Sequence, residues 1–324
     1  MSRLVKVAVR GAGGLLALAC IAWIVVKFVQ TGVLAKFWHS PRFDQLAGLV
    51  AAAIPIYALG LCCAGLAWWC LQAAFLPARP PLRPLFSTYA TTQFAKYLPG
   101  NIGHYLGRHL LLRRLGMGHR ALLLATLGEA GFLVLASLVW AASATGILLP
   151  RLAFAPSAWQ VLLLEVALLG LGYACVQWWR HRSPLARAWI PLHAPGWLLA
   201  VLPLQMLLFA AMALALMAPA HVLLKEADGL WLVPAAAAAS WVSGFLVVGA
   251  PAGLGVREMV FLALLHGHME ESDILLLAAA FRIITFGGDV LFLVLGVLLG
   301  GAGAGMPGGQ AGGDGSADPQ PRRD

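Results

Sequence analysis

The chain has 324 residues, of which 61% are apolar and 11% charged, with a mean hydropathy of +0.84. Soluble domains are roughly 45–50% apolar and about 25% charged, so a water-soluble globular fold is excluded. The formal charge of +9 does not indicate nucleic acid, because the basic residues flank hydrophobic runs and never alternate with aromatics on a soluble segment.

A membrane-spanning helix needs roughly 20 mostly apolar residues, since the hydrocarbon core is about 30 Å thick and a helix rises about 1.5 Å per residue. In chain order, the runs that meet this length are 11–33 and 46–71, then 120–145, 158–179, 196–218, 229–249 and 272–300. A cleavable signal peptide is not expected, because further spans follow the first. Between the second and third runs lies an amphipathic stretch, 84–118, interrupted by Leu98-Pro99-Gly100-Asn101. Between the sixth and seventh lies 250–268, which opens Ala250-Pro251-Ala252-Gly253-Leu254-Gly255. The sequence thus predicts an all-α polytopic bundle of about seven or eight spans. Its two Pro/Gly-broken segments would be re-entrant or lie along the membrane. A membrane domain covers 1–300, and the tail 301–324 is too rich in Gly and Pro to repay ordering.

Lys and Arg set the orientation. With Arg3, Lys6 and Arg10 in the cytoplasm, the same side receives Arg79, Arg83, Arg113, Arg114, Arg120, Arg180, Arg182 and Arg187. The other side receives Lys36, Arg42, Arg151 and Lys225. This bias predicts a multi-pass protein of a bacterial inner membrane with a cytoplasmic N-terminus. The cysteines, Cys20, Cys62, Cys63, Cys70 and Cys175, lie in apolar runs without a Cys-x-x-Cys pair and read as small hydrophobes.

Polar residues inside a bilayer are costly, so they mark where function or internal pairing resides. Around the first break stand Lys96, Tyr97, Asn101, His104, Tyr105 and Arg108, with His104 and Arg108 on one helix face. They suit either a pocket for a lipid phosphate or a basic segment snorkelling to the headgroups. Glu129, Glu165, Arg282 and Asp289 sit within apolar runs, Glu165 with the fewest polar companions. Arg282, Thr285 and Asp289 share a face of the last span, and Thr126 with Glu129 gives the third a similar stripe. Pro99–Gly103 and Pro251–Gly255 share a Pro-x-x-aliphatic-Gly pattern, each followed by an Arg (Arg108, Arg257). Such an echo fits either a transporter-like pair of repeats or coincidence in a Gly- and Pro-rich chain. Four expected crossings between the motifs would put both on one face. His266, His268, Glu270 and Glu271 carry metal-binding chemistry, but nothing else completes a site, so neither metal nor cofactor is expected. No catalytic motif is present, and enzymatic activity is not expected.

Five segments occur in a familiar order: Gln93-Phe-Ala-Lys-Tyr-Leu-Pro-Gly-Asn-Ile-Gly103, Gly107-Arg108, Gly128-Glu129, Pro251-Ala-Gly-Leu-Gly-Val-Arg-Glu258 and Phe281-Arg282. They resemble the flippase-like transmembrane family named for the membrane part of lysylphosphatidylglycerol synthetase. The likeness spans about residues 10–300. It implies movement of a lipid, or a lipid-linked headgroup, between leaflets. Ala252 departs from the usual Pro-Gly-Gly-Leu-Gly, and no aminoacyl-transferase domain is expected after the last span. The resulting expectation is a translocator that takes an anionic, phosphate-bearing headgroup into an interior polar cavity. The site would comprise Lys96, Asn101, His104, Arg108, Glu129, Arg257, Glu258, Arg282 and Asp289, with Pro99, Gly100, Gly103, Pro251, Gly253 and Gly255 shaping the breaks. Arg108, Arg257 and Arg282 would serve as counter-charges, and Glu129 and Asp289 would position them or relay protons. The alternative is an accessory membrane subunit partnering a glycosyltransferase or other envelope synthase.

Overall fold

A computed structural model describes residues 33–97, 102–114, 116–143, 158–224, 230–247, 253 and 255–301. The expected first span, the 301–324 tail beyond Gly301 and the core of each Pro/Gly break lie outside these residues. The described elements are helices: α1 (Val33–Trp38), α2 (Phe43–Phe75), α3 (Leu82–Gln93) with a 3-10 turn at Phe94–Tyr97, α4 (Gly103–Arg114), α5 (His119–Ala142), α6 (Ala158–Arg182), α7 (Pro184–Trp189), a second 3-10 turn at Pro195–Ala200, α8 (Val201–Leu223), α9 (Leu232–Leu246), α10 (Val256–Leu265) and α11 (Glu271–Gly301).

Among the described residues, five stretches are long and apolar enough to cross a membrane: Phe43–Phe75, His119–Ala142, Trp159–Arg182, Pro195–Leu223 and Glu271–Gly300. The chain is an all-α, multi-pass membrane protein. The run at 229–249, expected to span, contains only the 15-residue α9. At about 1.5 Å per residue that is roughly 22 Å, short of the hydrocarbon core.

α2 packs along α8 and α11, which together with α3 and α5 enclose the core. Small residues allow the close approaches. A Cβ at Gly60 would sit 2.8 Å from Ala211 Cβ and 3.2 Å from the Leu208 carbonyl, so α2 and α8 meet backbone to backbone there. On α11, Gly287 faces Ile54 of α2, and Gly296 faces Ala90 and Thr91 of α3. Without a hydrophobic driving force between helices in lipid, such small-residue contacts supply the van der Waals packing.

Both Pro/Gly breaks join helices that fold back on each other. Arg108 Nη2 of α4 donates to Gln93 Oε1 of α3 at 2.8 Å, although 15 residues separate them. One straight helix would hold those residues roughly 22 Å apart. In the second hairpin, a Cβ at Gly244 of α9 would lie 2.9 Å from Arg257 Cγ and 3.1 Å from Gly253 Cα. Gly253 and Gly255 have φ of +69° and +84°, backbone that an L side chain resists, which is why glycine stands there.

The hairpins approach the centre from opposite ends. α3 starts at the end of α11, where Arg83 Nε donates to the Leu299 carbonyl at 3.1 Å and Ser87 Oγ to the Gly296 carbonyl at 2.7 Å. It reaches the middle of α11, where Lys96 and Tyr97 meet Asp289. α10 instead lies along the first half of α11, with Phe261 against Phe281 and Glu258 bonded to Arg282. Between the motifs, among the described residues, α5, α6 and α8 with the turn before it are long and apolar enough to cross a membrane.

Basic residues expected on one side gather at one end. Arg120 Nη1 donates to the Ala188 carbonyl at 2.7 Å, Arg180 Nη2 to the Leu192 carbonyl at 3.1 Å, and Arg79 lies over the Trp69 and Trp197 rings. Arg42 sits at the other end, near the Val222 carbonyl and Asp273.

Overpacking the Gly60 contact should cost about 1–3 kcal/mol. Gly60→Ala is therefore expected to lower the unfolding temperature of the detergent-solubilised protein. Gly48→Ala, whose added Cβ meets nothing within 4 Å, should leave it equal or slightly higher because alanine favours helix. Equal behaviour of the two variants would refute the close α2–α8 contact.

Candidate functional site

A charge in a low-dielectric interior is stable only when paired and hydrogen-bonded. Three such pairs tie the hairpins to full-length helices. Arg108 Nη1 of α4 donates to Glu129 Oε2 of α5 at 2.6 Å, and both residues are 1% exposed. Tyr89 of α3 donates its hydroxyl to the other Glu129 oxygen at 2.8 Å, and its ring lies 3.8 Å from the Arg108 guanidinium carbon. Around the 3-10 turn, Lys96 Nζ donates to Asp289 Oδ1 at 2.8 Å and the Tyr97 hydroxyl to Oδ2 at 2.5 Å. In the second hairpin, Arg282 grips Glu258 with two nitrogens and reaches the Gly253 carbonyl at 3.2 Å. Glu258 also accepts from the Gly255 backbone N–H at 2.9 Å, closing the N-terminal turn of α10.

Arg257 differs from these. Its Nε is buried without a hydrogen-bond partner, and among the described residues no carboxylate pairs with it. It lines a small cleft between the hairpins. The cleft's polar wall comes from Tyr57, Tyr89, Gln93, Lys96, His104, Tyr105, Glu129 and Arg257. Its apolar wall comes from Leu61 and Ala64 of α2, Leu133 of α5, Leu208 of α8, and Trp241 and Phe245 of α9. His104 is buried with Nδ1 lacking a partner. The lining thus combines cationic and hydrogen-bonding side chains with aliphatic and aromatic surface.

Of the residues expected in the site, Lys96, His104, Glu129 and Arg257 line the cleft. Arg108, Glu258, Arg282 and Asp289 stand in the ion pairs that hold its walls. Glu129 does hold Arg108, whereas Asp289 holds Lys96 and not an arginine. Gly103 begins α4, and Gly253 and Gly255 lead into α10. Asn101, Pro99, Gly100 and Pro251 lie outside the described residues. Thr285 and Thr126 donate within their own helices, to the Phe281 and Leu122 carbonyls. Glu165 is buried on α6, away from the cleft, with neither carboxylate oxygen partnered among the described residues. His266, His268 and Glu270 belong to the short turn between α10 and α11, where Glu271 begins the latter. The buried-hydrophobe reading of the cysteines fits Cys70, whereas Cys175 is exposed on α6.

Sequence reading missed Tyr57, Tyr89 and Trp241 as cleft residues, and quoted Gln93 only as part of a motif. Tyr89 carried a usable signal, lying seven residues before Lys96 on the amphipathic stretch.

No family model matches the chain, and no curated protein sequence matches it.

Removing Arg108 would strand Glu129 as a buried, uncompensated carboxylate. Arg108→Ala should destabilise the protein by about 3–5 kcal/mol, and the double variant Arg108→Ala, Glu129→Ala should recover part of that loss. Unfolding in detergent measures the cycle, and strictly additive effects would show that the pair is not coupled. Gly244→Ala puts a methyl group against the stem of Arg257. It should displace that arginine and weaken binding of an anionic amphiphile at least tenfold, with a smaller effect on unfolding temperature.

Proposed function

We propose that this chain is a lipid translocator of a bacterial inner membrane, related to the flippase-like family whose motifs its sequence resembles. It takes the anionic, phosphate-bearing headgroup of a lipid into the cleft between the two broken hairpins. In this reading both hairpins are re-entrant, one from each face, and the N-terminus is cytoplasmic. The buried Arg257, whose guanidinium has no carboxylate partner among the described residues, carries the proposal, because a buried cation without a counter-charge favours an anion.

The headgroup phosphate meets Arg257 and Lys96, with His104, Tyr57, Tyr105 and Gln93 within the same lining. Arginine offers a planar fork that grips two phosphate oxygens at once. The acyl chains leave along Leu133, Leu208, Trp241 and Phe245 into the bilayer, so only the polar head needs a protein environment. Hairpins from opposite faces meeting at mid-depth suit alternating exposure of one central site to the two leaflets. Irregular backbone is tolerated at that depth where it lines a cavity.

Arg257→Ala should reduce translocation of fluorescent phosphatidylglycerol in reconstituted vesicles at least tenfold while the protein stays monodisperse. Arg257→Lys should restore it only in part, since lysine keeps the charge but loses the fork. Leaflet exposure is read by dithionite quenching. An unchanged rate in the alanine variant would remove Arg257 from the site and with it the headgroup reading.

A further inference from the structure

We propose that a file of ordered water runs from the cleft along one face of α2 toward the basic end of the bundle, held by Trp68, Gln72, Arg108 and Gln205. The inference goes beyond the headgroup reading and stands without it, because it rests on groups outside the cleft lining.

Four buried side chains carry it. Trp68 Nε1 and both amide atoms of Gln72 on α2, Nε of Arg108 on α4, and both amide atoms of Gln205 on α8 have no hydrogen-bond partner among the described residues. All four residues are at most 1% exposed. Buried polar groups in folded proteins are nearly always hydrogen-bonded, to protein or to ordered water, so a cluster of unpartnered ones marks the place of a small polar ligand.

The cluster is continuous with the cleft. Tyr57, Leu61 and Ala64 of α2 line the cleft, and Trp68 and Gln72 extend the same helix face, since steps of three and four residues return to one side. Trp68 lies against the charged wall, with its ring centroid 5.4 Å from the Arg108 guanidinium carbon and 5.8 Å from the Tyr89 ring. α8 runs antiparallel to α2: Leu208 lies against Gly60, while the His193 and Ala194 N–H groups, before α8 begins, donate to the Ala74 carbonyl. Gln205, one turn before the cleft residue Leu208, therefore stands on the Trp68 side of the cleft. Gln72 lies in the last turn of α2, close to the end where Arg79 covers the Trp69 and Trp197 rings.

The chemistry of these groups selects water. Trp68 and Arg108 offer donors only, whereas each glutamine amide offers both donors and an acceptor, so the ligand must accept and donate. Glu129 already matches the Arg108 charge, so nothing in the cluster calls for an ion. One four-residue step along α2 rises about 6 Å, a gap that one water closes with two hydrogen bonds of about 2.8 Å. The file supplies the cleft with water from the basic end, and water displaced by an incoming ligand leaves the same way.

The test is X-ray hydroxyl-radical footprinting of the full-length protein in lipid nanodiscs, read by mass spectrometry. Radicals form from bound water in place, whereas those from bulk solvent do not reach side chains buried this deeply. Trp68 should be oxidised at least tenfold faster than Phe281 and Phe292, which are 2% and 1% exposed in the apolar core, a margin beyond the intrinsic difference between indole and phenyl rings. The double variant Gln72→Leu, Gln205→Leu should slow Trp68 oxidation at least fivefold and leave the two phenylalanines unchanged. Should that variant fail to fold, the comparison within the wild-type protein decides alone. Oxidation of Trp68 as slow as that of the phenylalanines overturns the proposal. Undiminished oxidation in a folded double variant also overturns it, because water then reaches Trp68 without these amides. The measurement uses no lipid ligand, so a failure to bind phosphatidylglycerol removes the headgroup reading and leaves this inference to its own test.

Discussion

Charge inside a low-dielectric bundle must find its counter-charge close by, and here the search for counter-charges fixes how deep the broken hairpins reach. Arg108 on α4 meets Glu129 on α5, the 3-10 turn meets α11 through Lys96 and Asp289, and α10 meets α11 through Glu258 and Arg282. Each pair joins a short arm to a helix long enough to span. The arms themselves run only 10 to 15 residues and could slide along their neighbours if apolar contact alone held them. Breaking any pair leaves an uncompensated charge, a penalty larger than the apolar burial of one side chain. The ion pairs therefore act as register pins.

Backbone geometry supplies the complementary constraint. A chain that reverses within the bundle frees N–H and C=O groups, and these need partners. At the second break the Glu258 carboxylate takes the Gly255 N–H while Arg282 takes the Gly253 carbonyl, so the Glu258–Arg282 pair also satisfies the turn. At the first, Gln93 and Arg108 bond across the hairpin. Glycines on α11 allow both α2 and α3 to approach closely, which brings Tyr57 and Lys96 to the same depth as Asp289. The cleft is what remains between the tips.

Much of this was legible in the sequence because hydropathy over a 20-residue window measures the property that decides membrane insertion. Runs 46–71, 120–145, 158–179, 196–218 and 272–300 each coincide with a long apolar helix whose ends differ from the run by about five residues or fewer. The run 229–249 reads the same way, yet the described helix there is the 15-residue α9, which packs closely on Gly253 at Gly244. The charged residues were found individually from their cost in an apolar run, but partner choice was not. Arg282 and Asp289 share a helix face and still pair with different elements, Glu258 and Lys96. Periodicity along one helix cannot choose among partners on others.

The pattern of pairing also bears on what the cleft prefers. Three of the four interior cations near the hairpins are neutralised locally, so they contribute structure and little net field. Arg257 contributes the field. An empty cleft must hydrate that guanidinium, and an anionic headgroup replaces the water with two charge-assisted hydrogen bonds. A zwitterionic headgroup brings a cation of its own into the same space, with Glu129 as the one carboxylate in the lining and its two oxygens already held by Arg108 and Tyr89. Accepting that cation would require loosening the Arg108–Glu129 pair that pins the first hairpin. In the proposed function, selectivity for a net negative headgroup would follow from the same pairing that fixes the fold, because Glu129, the one acid in the described lining, is already committed to holding α4 against α5.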